Sequence, residues 1–209
     1  MAYASWLSPS TLSGSNSGTV TVSATSNNTG RNSRSTTVTF TGAGTSLTRT
    51  ITQGGQNEFT TIPASDGKTK DGGVLTITGT SNSSQLTFSL SNDNIGLSQI
   101  TEYKVKGQTV ANGQDLADET TGIGDPGATE EFNFQVQLTL PANQDTSSKT
   151  CSLNVLDHTG TTHSCIITLD AGDAYLSVGN PSGDLPWNAY SGGNTISIQV
   201  NSNTSWTIS

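Results

Sequence analysis

The sequence has 209 residues and a net charge of -8, from 8 Lys and Arg against 16 Asp and Glu, and only 11% of its residues are charged. Partners with a phosphate backbone or an anionic membrane surface need clustered cations, so this balance argues against nucleic acid and membranes as partners. No run approaches the roughly twenty apolar residues that a membrane helix needs. Many Thr and few Lys and Glu favour strands and turns over long surface helices.

The first region, residues 1–57, alternates between apolar and polar residues in short runs. Thr19–Thr25, Thr37–Thr41 and Leu47–Gln53 each place their apolar side chains on one face, and turns rich in Asn and Gly separate them. Such period-two patterning predicts antiparallel strands. The sequence GGQN at residues 54–57 predicts a domain boundary.

The second region, residues 58–172, carries further predicted strands and one long loop. The strand candidates are Phe59–Ile62, Val74–Thr78, Leu86–Leu90, Ile100–Lys106, Phe132–Leu140, Thr150–Leu156 and Ser164–Leu169. Residues 111–131 form a polar, acidic loop, and loops of that length inside a compact domain are usually functional or mobile. The third region, residues 173–209, has one strand candidate at Tyr175–Val178. Its last eighteen residues predict a strand, a turn at Asn201–Asn203 and the start of another strand.

Two stretches of the sequence recur in the same order. SATSNNTGRNSRSTTVTFTGAGTSLTRTITQGG is similar to PANQDTSSKTCSLNVLDHTGTTHSCIITLDAG, with Arg34 and Lys149 before the alternating strand. GGVLTITGTSNSSQLTFS is similar to GGNTISIQVNSNTSWTIS, with Leu86 at the place of Trp206. The chain therefore reads as second half, first half, second half, first half of one repeated unit.

The middle two halves predict one continuous domain over residues 58–172. The outer pieces, residues 1–57 and 173–209, are complementary halves of a second, discontinuous domain. We expect these halves to close within one chain or between neighbouring subunits, because open strand edges and half-exposed apolar faces must be covered. Local concentration favours closure within one chain. Closure between subunits would be head-to-tail and would give rings or filaments.

When the outer halves are joined, a set of features follows in a fixed order. These are a Ser-Asn-x-Ser-Trp turn ending at Trp206, a Trp-Leu pair at Trp6, an Asn-rich turn before Arg34, and a closing Ile-Thr-Gln at residues 51–53. In this order they resemble a BACON domain, an Ig-like β-sandwich of Bacteroidetes surface enzymes and of phages that infect these bacteria. The middle domain resembles a divergent copy. The resemblance implies an all-β fold of two Ig-like antiparallel β-sandwich domains.

No cluster of residues predicts catalysis. Cys151 is seven residues from His158, roughly 20 Å along a strand, which is too far for two ligands of one zinc ion. We therefore expect Cys151 and Cys165 to be buried as small apolar side chains, and His158 and His163 to be exposed loop residues. The chain is predicted not to be an enzyme and to hold no cofactor.

The acidic loop offers two further motifs. Gly122, Gly124 and Gly127 have the spacing of a dinucleotide fingerprint, but no helix is expected after them and no βαβ unit surrounds them. Carboxylates of the loop could bind calcium through oxygen ligands. The candidate metal ligands are Asp115, Asp118, Glu119 and Asp125. Their spacing matches no EF-hand, so a solvated loop is the favoured interpretation.

Aromatic residues are the remaining candidates for binding. Trp187 and Tyr190 lie in a Gly- and Pro-rich loop, where exposed rings could bind carbohydrate. Trp6 and Trp206 lie at alternating strand positions, and we expect them in the core because few aromatic residues serve two small cores.

The resemblance implies two classes of function. Residues 1–6 show no basic or apolar signal segment, so we expect no secretory signal unless one was removed. This favours a structural virion protein of a crAss-like phage of Bacteroidetes, decorating a capsid or forming part of a fibre. Such a protein assembles in the host cytoplasm, with other virion proteins as partners. The alternative is a module that binds carbohydrate, such as mucin glycans, on a surface or secreted Bacteroidetes protein.

Overall fold

The computed structural model describes residues 3–97, 99–118, 122–179, 192 and 198–209. Its strands are β1 (Leu7–Pro9), β2 (Val22–Ala24), β3 (Arg34–Gly42), β4 (Thr45–Gln53), β5 (Thr60–Thr61), β6 (Ser65–Lys68), β7 (Gly73–Ser81), β8 (Leu86–Ser91), β9 (Glu102–Val105), β10 (Gln108–Thr109), β11 (Phe132–Leu140), β12 (Lys149–Asp157), β13 (Thr162–Leu169), β14 (Leu176–Val178) and β15 (Val200–Ser202). A short helix, α1 (Pro126–Thr129), precedes β11. Among the described residues, no helix has the length and apolar character to cross a membrane. The all-β prediction is confirmed.

The middle region folds into two sheets that face each other. One sheet has the strand order β10-β9-β11-β7-β5, and the other has the order β6-β13-β12-β8. The pairs are antiparallel except for β6, which runs parallel to β13. This is the layered arrangement expected of a β-sandwich.

Alternation along the strands builds the core between these sheets. Every second residue of β11, from Phe132 to Leu140, is buried, while the residues between them are exposed or half-buried. β12 repeats the pattern with Cys151, Leu153 and Val155 facing inward. Because side chains of a strand alternate between its two faces, each strand supplies one apolar row to the core.

The alternation does not predict β1, β6, β10 or α1. β6 has the sequence SDGK, and its pairing to β13 depends on close backbone approach at Gly67. A Cβ atom at Gly67 would lie 2.4 Å from the carbonyl oxygen of Thr168, so only glycine fits there. α1 includes Gly127, the last glycine of the GxGxxG spacing, and is too short to form the helix of a dinucleotide site.

The first region forms two separate strand pairs, β1–β2 and β3–β4. Of its described apolar residues only Leu7 and Val38 are buried, whereas Leu12, Phe40 and Leu47 are exposed. The described residues of the last region form one pair, β14–β15. The described strands of the two outer regions pair only within their own region. Closure of the outer halves into one discontinuous domain stays a prediction.

A buried asparagine joins the first region to the middle domain. The side-chain oxygen of Asn82 accepts a hydrogen bond from the Phe59 amide at 2.8 Å. Its amide nitrogen donates to the carbonyl oxygens of Thr29, at 3.1 Å, and of Asn57, at 3.2 Å. One fully buried carboxamide thereby holds three backbone groups from two regions of the chain.

We call this set of contacts around Asn82 the first joint. A second joint of the same kind, around Asn203, lies at the far end of the middle domain. The side-chain oxygen of Asn203 accepts from the Tyr175 amide at 3.0 Å, and its nitrogen donates to the carbonyls of Gln144 and Asp173, both at 2.9 Å. The three partners occupy the positions that the repeat aligns with Phe59, Thr29 and Asn57. The sequence repeat is therefore also a repeat of inter-unit geometry.

A second asparagine supports each joint from the neighbouring turn. Asn28 donates to the carbonyls of Asn32 and Gly54 at 2.8 and 3.1 Å. Asn143, its counterpart in the middle domain, makes the equivalent pair of bonds, both at 2.8 Å, across the turn before β12. Each pair of bonds connects the turn before a strand hairpin to the residue that follows the hairpin. These bonds fix the backbone that the neighbouring unit contacts.

Replacing the buried joint residue should loosen the contact between the first region and the middle domain. Asn82→Ala leaves one amide and two carbonyls without their partner, so the free energy of unfolding should fall by about 1–3 kcal/mol. Asn203→Ala should cost less because Asn203 is only half-buried and water can replace it. Denaturant unfolding measures both, with the exposed Asn201→Ala as the matched control. An Asn82→Ala protein as stable as the control would contradict this role.

Candidate binding site

The middle domain carries a cleft of about 560 Å³ at its open side. β8 is the last strand of its sheet, and β9 and β10 lie at the end of the other sheet. The cleft opens between these ends, and Asp93, Leu97 and residues 99–101, from the segment between β8 and β9, contribute to its rim. It is therefore built by the meeting of two sheets and not by one continuous stretch of sequence.

An aromatic wall forms the inner side of the cleft. Phe88 comes from β8 and Tyr103 from β9, and their ring centroids lie 4.5 Å apart with the planes tilted by 53°. Phe134 backs Phe88 from the core at 5.7 Å. Tilted contacts at these distances are the favourable geometry for aromatic pairs, so the wall is held rigidly.

The hydroxyl of Tyr103 has no hydrogen-bond partner among the described residues. Tyr103 is 4% exposed and lines the cleft. Burial raises the pKa of Tyr103 above its ordinary value, so the hydroxyl stays protonated and can both donate and accept. Buried hydroxyls are normally satisfied, and leaving one unsatisfied costs about 1–3 kcal/mol. A ligand that reached this hydroxyl from the cleft would supply the missing partner.

Carboxylates lie at the rim. The oxygens of Glu102 contact Lys104 Nζ at 2.9 Å and the Thr109 hydroxyl at 3.2 Å. The hydrogen bond from Lys104 lowers the pKa of Glu102, which is therefore ionised at neutral pH. Asp93, which also lines the cleft, accepts two backbone hydrogen bonds through one oxygen. The described lining contains acceptors and no Lys or Arg.

Asn112 fixes the shape of the cleft from the far side. Its side-chain oxygen accepts from the Phe88 amide at 2.7 Å, and its nitrogen donates to the Phe88 carbonyl at 2.8 Å. This reciprocal pair fastens the loop after β10 onto the edge of β8. An apolar ring wall, fixed acceptors and one unsatisfied hydroxyl suit a neutral ligand that is rich in hydroxyl groups.

None of the binding residues predicted from the sequence is among the described residues that line the cleft. Trp187 and Tyr190 lie outside the described residues, as does Glu119 of the acidic loop. Within the described part of the chain, no group of three or more His, Cys, Asp or Glu side chains is placed to hold a metal ion. Asp125 forms an ion pair with Arg31 across the first joint. The calcium site stays a prediction.

The cysteines are buried and free, as the sequence predicts. Burial raises the pKa of the Cys151 thiol to about 11, with a further contribution from Asp93. Burial likewise raises the pKa of Cys165. Both side chains are therefore protonated thiols at neutral pH, which makes them weak nucleophiles.

The histidine prediction is right for His158 and wrong for His163. His158 is exposed in the turn, whereas His163 lies on β13, half-buried, with Nε2 3.2 Å from the buried carboxylate of Asp157. Asp157 also accepts from the Thr159 hydroxyl and the Thr161 amide. The turn is thus organised around a carboxylate that the sequence analysis did not single out.

The tryptophans also differ from expectation. Trp6 is half-buried, with the Arg34 guanidinium 4.9 Å from its ring centroid, a cation–π contact. Trp206 is 47% exposed and not in a core. The difference arises because the described residues around Trp206 form only one short strand pair.

Tyr103 was not among the binding residues predicted from the sequence. Its position in the alternation of Ile100–Lys106 marks it as an inward-facing residue, which gives no reason to expect an unsatisfied hydroxyl. The available signal is that a tyrosine at a core position needs a polar partner for its hydroxyl. No residue near it in the sequence supplies one.

Comparison with known proteins gives one family and two structures. Residues 1–54 match the BACON family, described as a putative binding domain, N-terminal, which confirms the predicted family for that segment. The C-terminal domain of the Streptococcus pyogenes antigen I/II-family protein AspA is 10% identical, with a TM-score of 0.27, over 68% of this chain and 56% of that one. The collagen binding domain of the Erysipelothrix rhusiopathiae surface protein RspB is 12% identical, with a TM-score of 0.23, over 73% and 63%.

The chain spans less than two thirds of the length of either structure. No curated protein matches it. The case for a binding function therefore rests on the family match and on the geometry of the cleft.

The free energy of unfolding should depend on pH through the buried carboxylate of Asp157. Burial opposes ionisation of Asp157, but hydrogen bonds from Thr159, Thr161 and His163 outweigh it and lower the pKa. A lowered pKa contributes stability that is present above the ordinary value of about 4 and is lost as pH falls through the folded-state pKa. The stability advantage over Asp157→Asn should therefore shrink below about pH 4, as measured by denaturant unfolding at several pH values. A constant difference would contradict this.

Removing the unsatisfied hydroxyl should not destabilise the free protein. Tyr103→Phe keeps the ring contact with Phe88 and removes a buried polar group, so the free energy of unfolding should stay constant or rise by up to about 1 kcal/mol. Thermal unfolding without ligand measures it. A loss of more than about 1 kcal/mol would show that the hydroxyl is already bonded in the free protein.

Proposed function

We propose that this chain is a non-enzymatic carbohydrate-binding module of a surface or secreted protein. The observation that carries the proposal is the buried, unsatisfied hydroxyl of Tyr103, a residue that lines the cleft of the middle domain. The BACON match over residues 1–54 supports a binding role for the same kind of unit.

The chemistry of the cleft favours a neutral sugar. Sugar hydroxyls donate hydrogen bonds to carboxylates and accept them from a phenol, and both kinds of group line the cleft in Glu102, Asp93 and Tyr103. The apolar face of a sugar ring can pack on the aromatic wall. An anionic ligand would meet the rim carboxylates and a net charge of -8, which disfavour it electrostatically.

The size of the cleft is consistent with a short oligosaccharide. Ligand sites are typically about 300–1,000 Å³, and this cleft lies inside that range. Mucin glycans are the ligand class that the BACON resemblance implies. Given the charges, we propose neutral mucin-type glycans in preference to sialylated or sulfated ones.

A second proposal is a structural role in a phage particle, as the resemblance implies. The observation that favours an assembling protein is the set of exposed apolar side chains on the strands of both outer regions. This proposal does not compete with the cleft, because the two features lie in different parts of the chain. Detection of the chain in purified particles of a Bacteroidetes phage would test it, and absence from all of them would reject it.

Glycan binding can be tested on the intact chain. Retention on neutral mucin-type oligosaccharides should be measurable, and Tyr103→Phe should weaken it about 3- to 10-fold, because one hydrogen bond contributes about 0.5–1.5 kcal/mol. Glu102→Gln should weaken it further, because a bond to a charged acceptor is stronger.

The matched control is Glu130→Gln, which removes an exposed carboxylate paired with Lys106 and outside the cleft lining. Trp187→Ala examines the sequence-predicted residue in parallel. If Trp187→Ala abolishes retention while Tyr103→Phe leaves it unchanged, the site lies in that loop instead. If the intact protein binds no glycan, the carbohydrate proposal fails.

A further inference from the structure

The middle domain shows what a complete unit looks like at the edge of its second sheet. β8 pairs along β12, with Phe88 opposite Val155 and Leu86 opposite Asp157. Leu86 is 0% exposed and Phe88 is 3% exposed. The hairpin β12–β13 thus depends on β8 to cover one edge and to contribute two large side chains to the core.

The first region has the hairpin without that covering strand. β3 corresponds to β12, since Arg34 aligns with Lys149 and both hairpins pair in the same register. Among the described strands, only β4 pairs with β3. Phe40, at the position of Val155, is 43% exposed. A cleft of about 200 Å³, lined partly by Leu12, Val38 and Phe40, lies between the two strand pairs.

The described residues of the last region contain one strand pair followed by a segment that resembles the covering strand. β14 pairs with β15 in the register in which β5 pairs with β7, with Ser202 at the place of Ser81. The turn after Asn203 is one residue shorter than the turn after Asn82, and with that difference the following segment corresponds to β8 and Trp206 aligns with Leu86. Trp206 is 47% exposed and Ile208 is 87% exposed. These are the side chains whose counterparts in the middle domain are buried.

The two outer regions leave the middle domain at opposite ends of β7. The first joint is at Asn82, directly after the last residue of β7. The second joint lies next to the first residues of β7. There the backbone amide of Asn143 donates to the Lys70 carbonyl, and the Lys70 side chain forms an ion pair with Asp173. A strand of nine residues is about 30 Å long, so closure within one chain would require the outer regions to reach across the whole sandwich.

We propose that residues 198–209 of one copy complete the first region of a second copy. The segment around Trp206 and Ile208 pairs with the free edge of β3 and fills the cleft beside Phe40, as β8 does for β12 in the middle domain. The contact joins two different surfaces and is therefore heterologous, which produces head-to-tail rings or filaments. It covers two open edges and two apolar faces at once, which are features that folded proteins do not leave exposed.

The 209-residue chain itself provides the test. Sedimentation at increasing concentration should show a weight-average mass that rises beyond that of a dimer. Phe40→Ser damages the accepting surface and Trp206→Ser damages the inserting segment, so each variant alone should remain monomeric. A mixture of the two should form a dimer and nothing larger, because one intact surface remains in each variant.

The matched control is Leu156→Ser, which removes an apolar side chain of similar exposure, 41%, from the middle domain. It should assemble like the unmodified chain. The unfolding transition of the middle domain, followed in both interface variants, shows that they stay folded, because neither residue belongs to its core. A strict monomer at all concentrations, or assembly unaffected by Trp206→Ser, would overturn the proposal.

Discussion

The organisation of the chain depends on a buried carboxamide. Asn82 has two N–H donors and one carbonyl acceptor, and it uses them on three backbone groups that come from both sides of a joint. Because an unsatisfied buried polar group is costly, the two sides fit only in the arrangement that satisfies all three. Arg31 strengthens the same joint by pairing with Asp125. Asn203 makes the corresponding bonds at the next joint, so orientation between units is encoded by one residue per repeat.

The joints hold the outer regions in place without adding their side chains to the core of the middle domain. The core of the middle domain is complete, with residues such as Phe134 and Leu153 fully buried between its sheets. The outer regions are docked onto it through polar contacts while their own apolar rows remain open, as Leu47 and Ile208 show. Polar joints can hold such half-units in place without burying them. The open rows are therefore available to complementary strands.

The alternation of apolar and polar residues, together with the turn residues, predicted the strands and hairpins that neighbouring residues specify. β11 has the predicted bounds, and the hairpin β12–β13 is recovered to within two residues at each strand end, because alternation and turn residues specify both. β6 was not predicted, since its polar sequence pairs through backbone approach at Gly67. The binding cleft was not predicted either. Tyr103 and Phe88 meet only because two sheets end side by side, and no spacing in the sequence records that.

A cleft in the middle domain and an assembly surface in the outer regions would reinforce each other. A site with one phenol and two carboxylates would bind a neutral sugar weakly, because each hydrogen bond exchanges with water for only about 0.5–1.5 kcal/mol. Copies joined head-to-tail would carry one such cleft each, at intervals fixed by the joints. Mucin glycans present many similar ends, and linked sites that engage them together gain avidity without any new contact. Weak sites on a regular array are thus a physically sufficient way to hold such a surface.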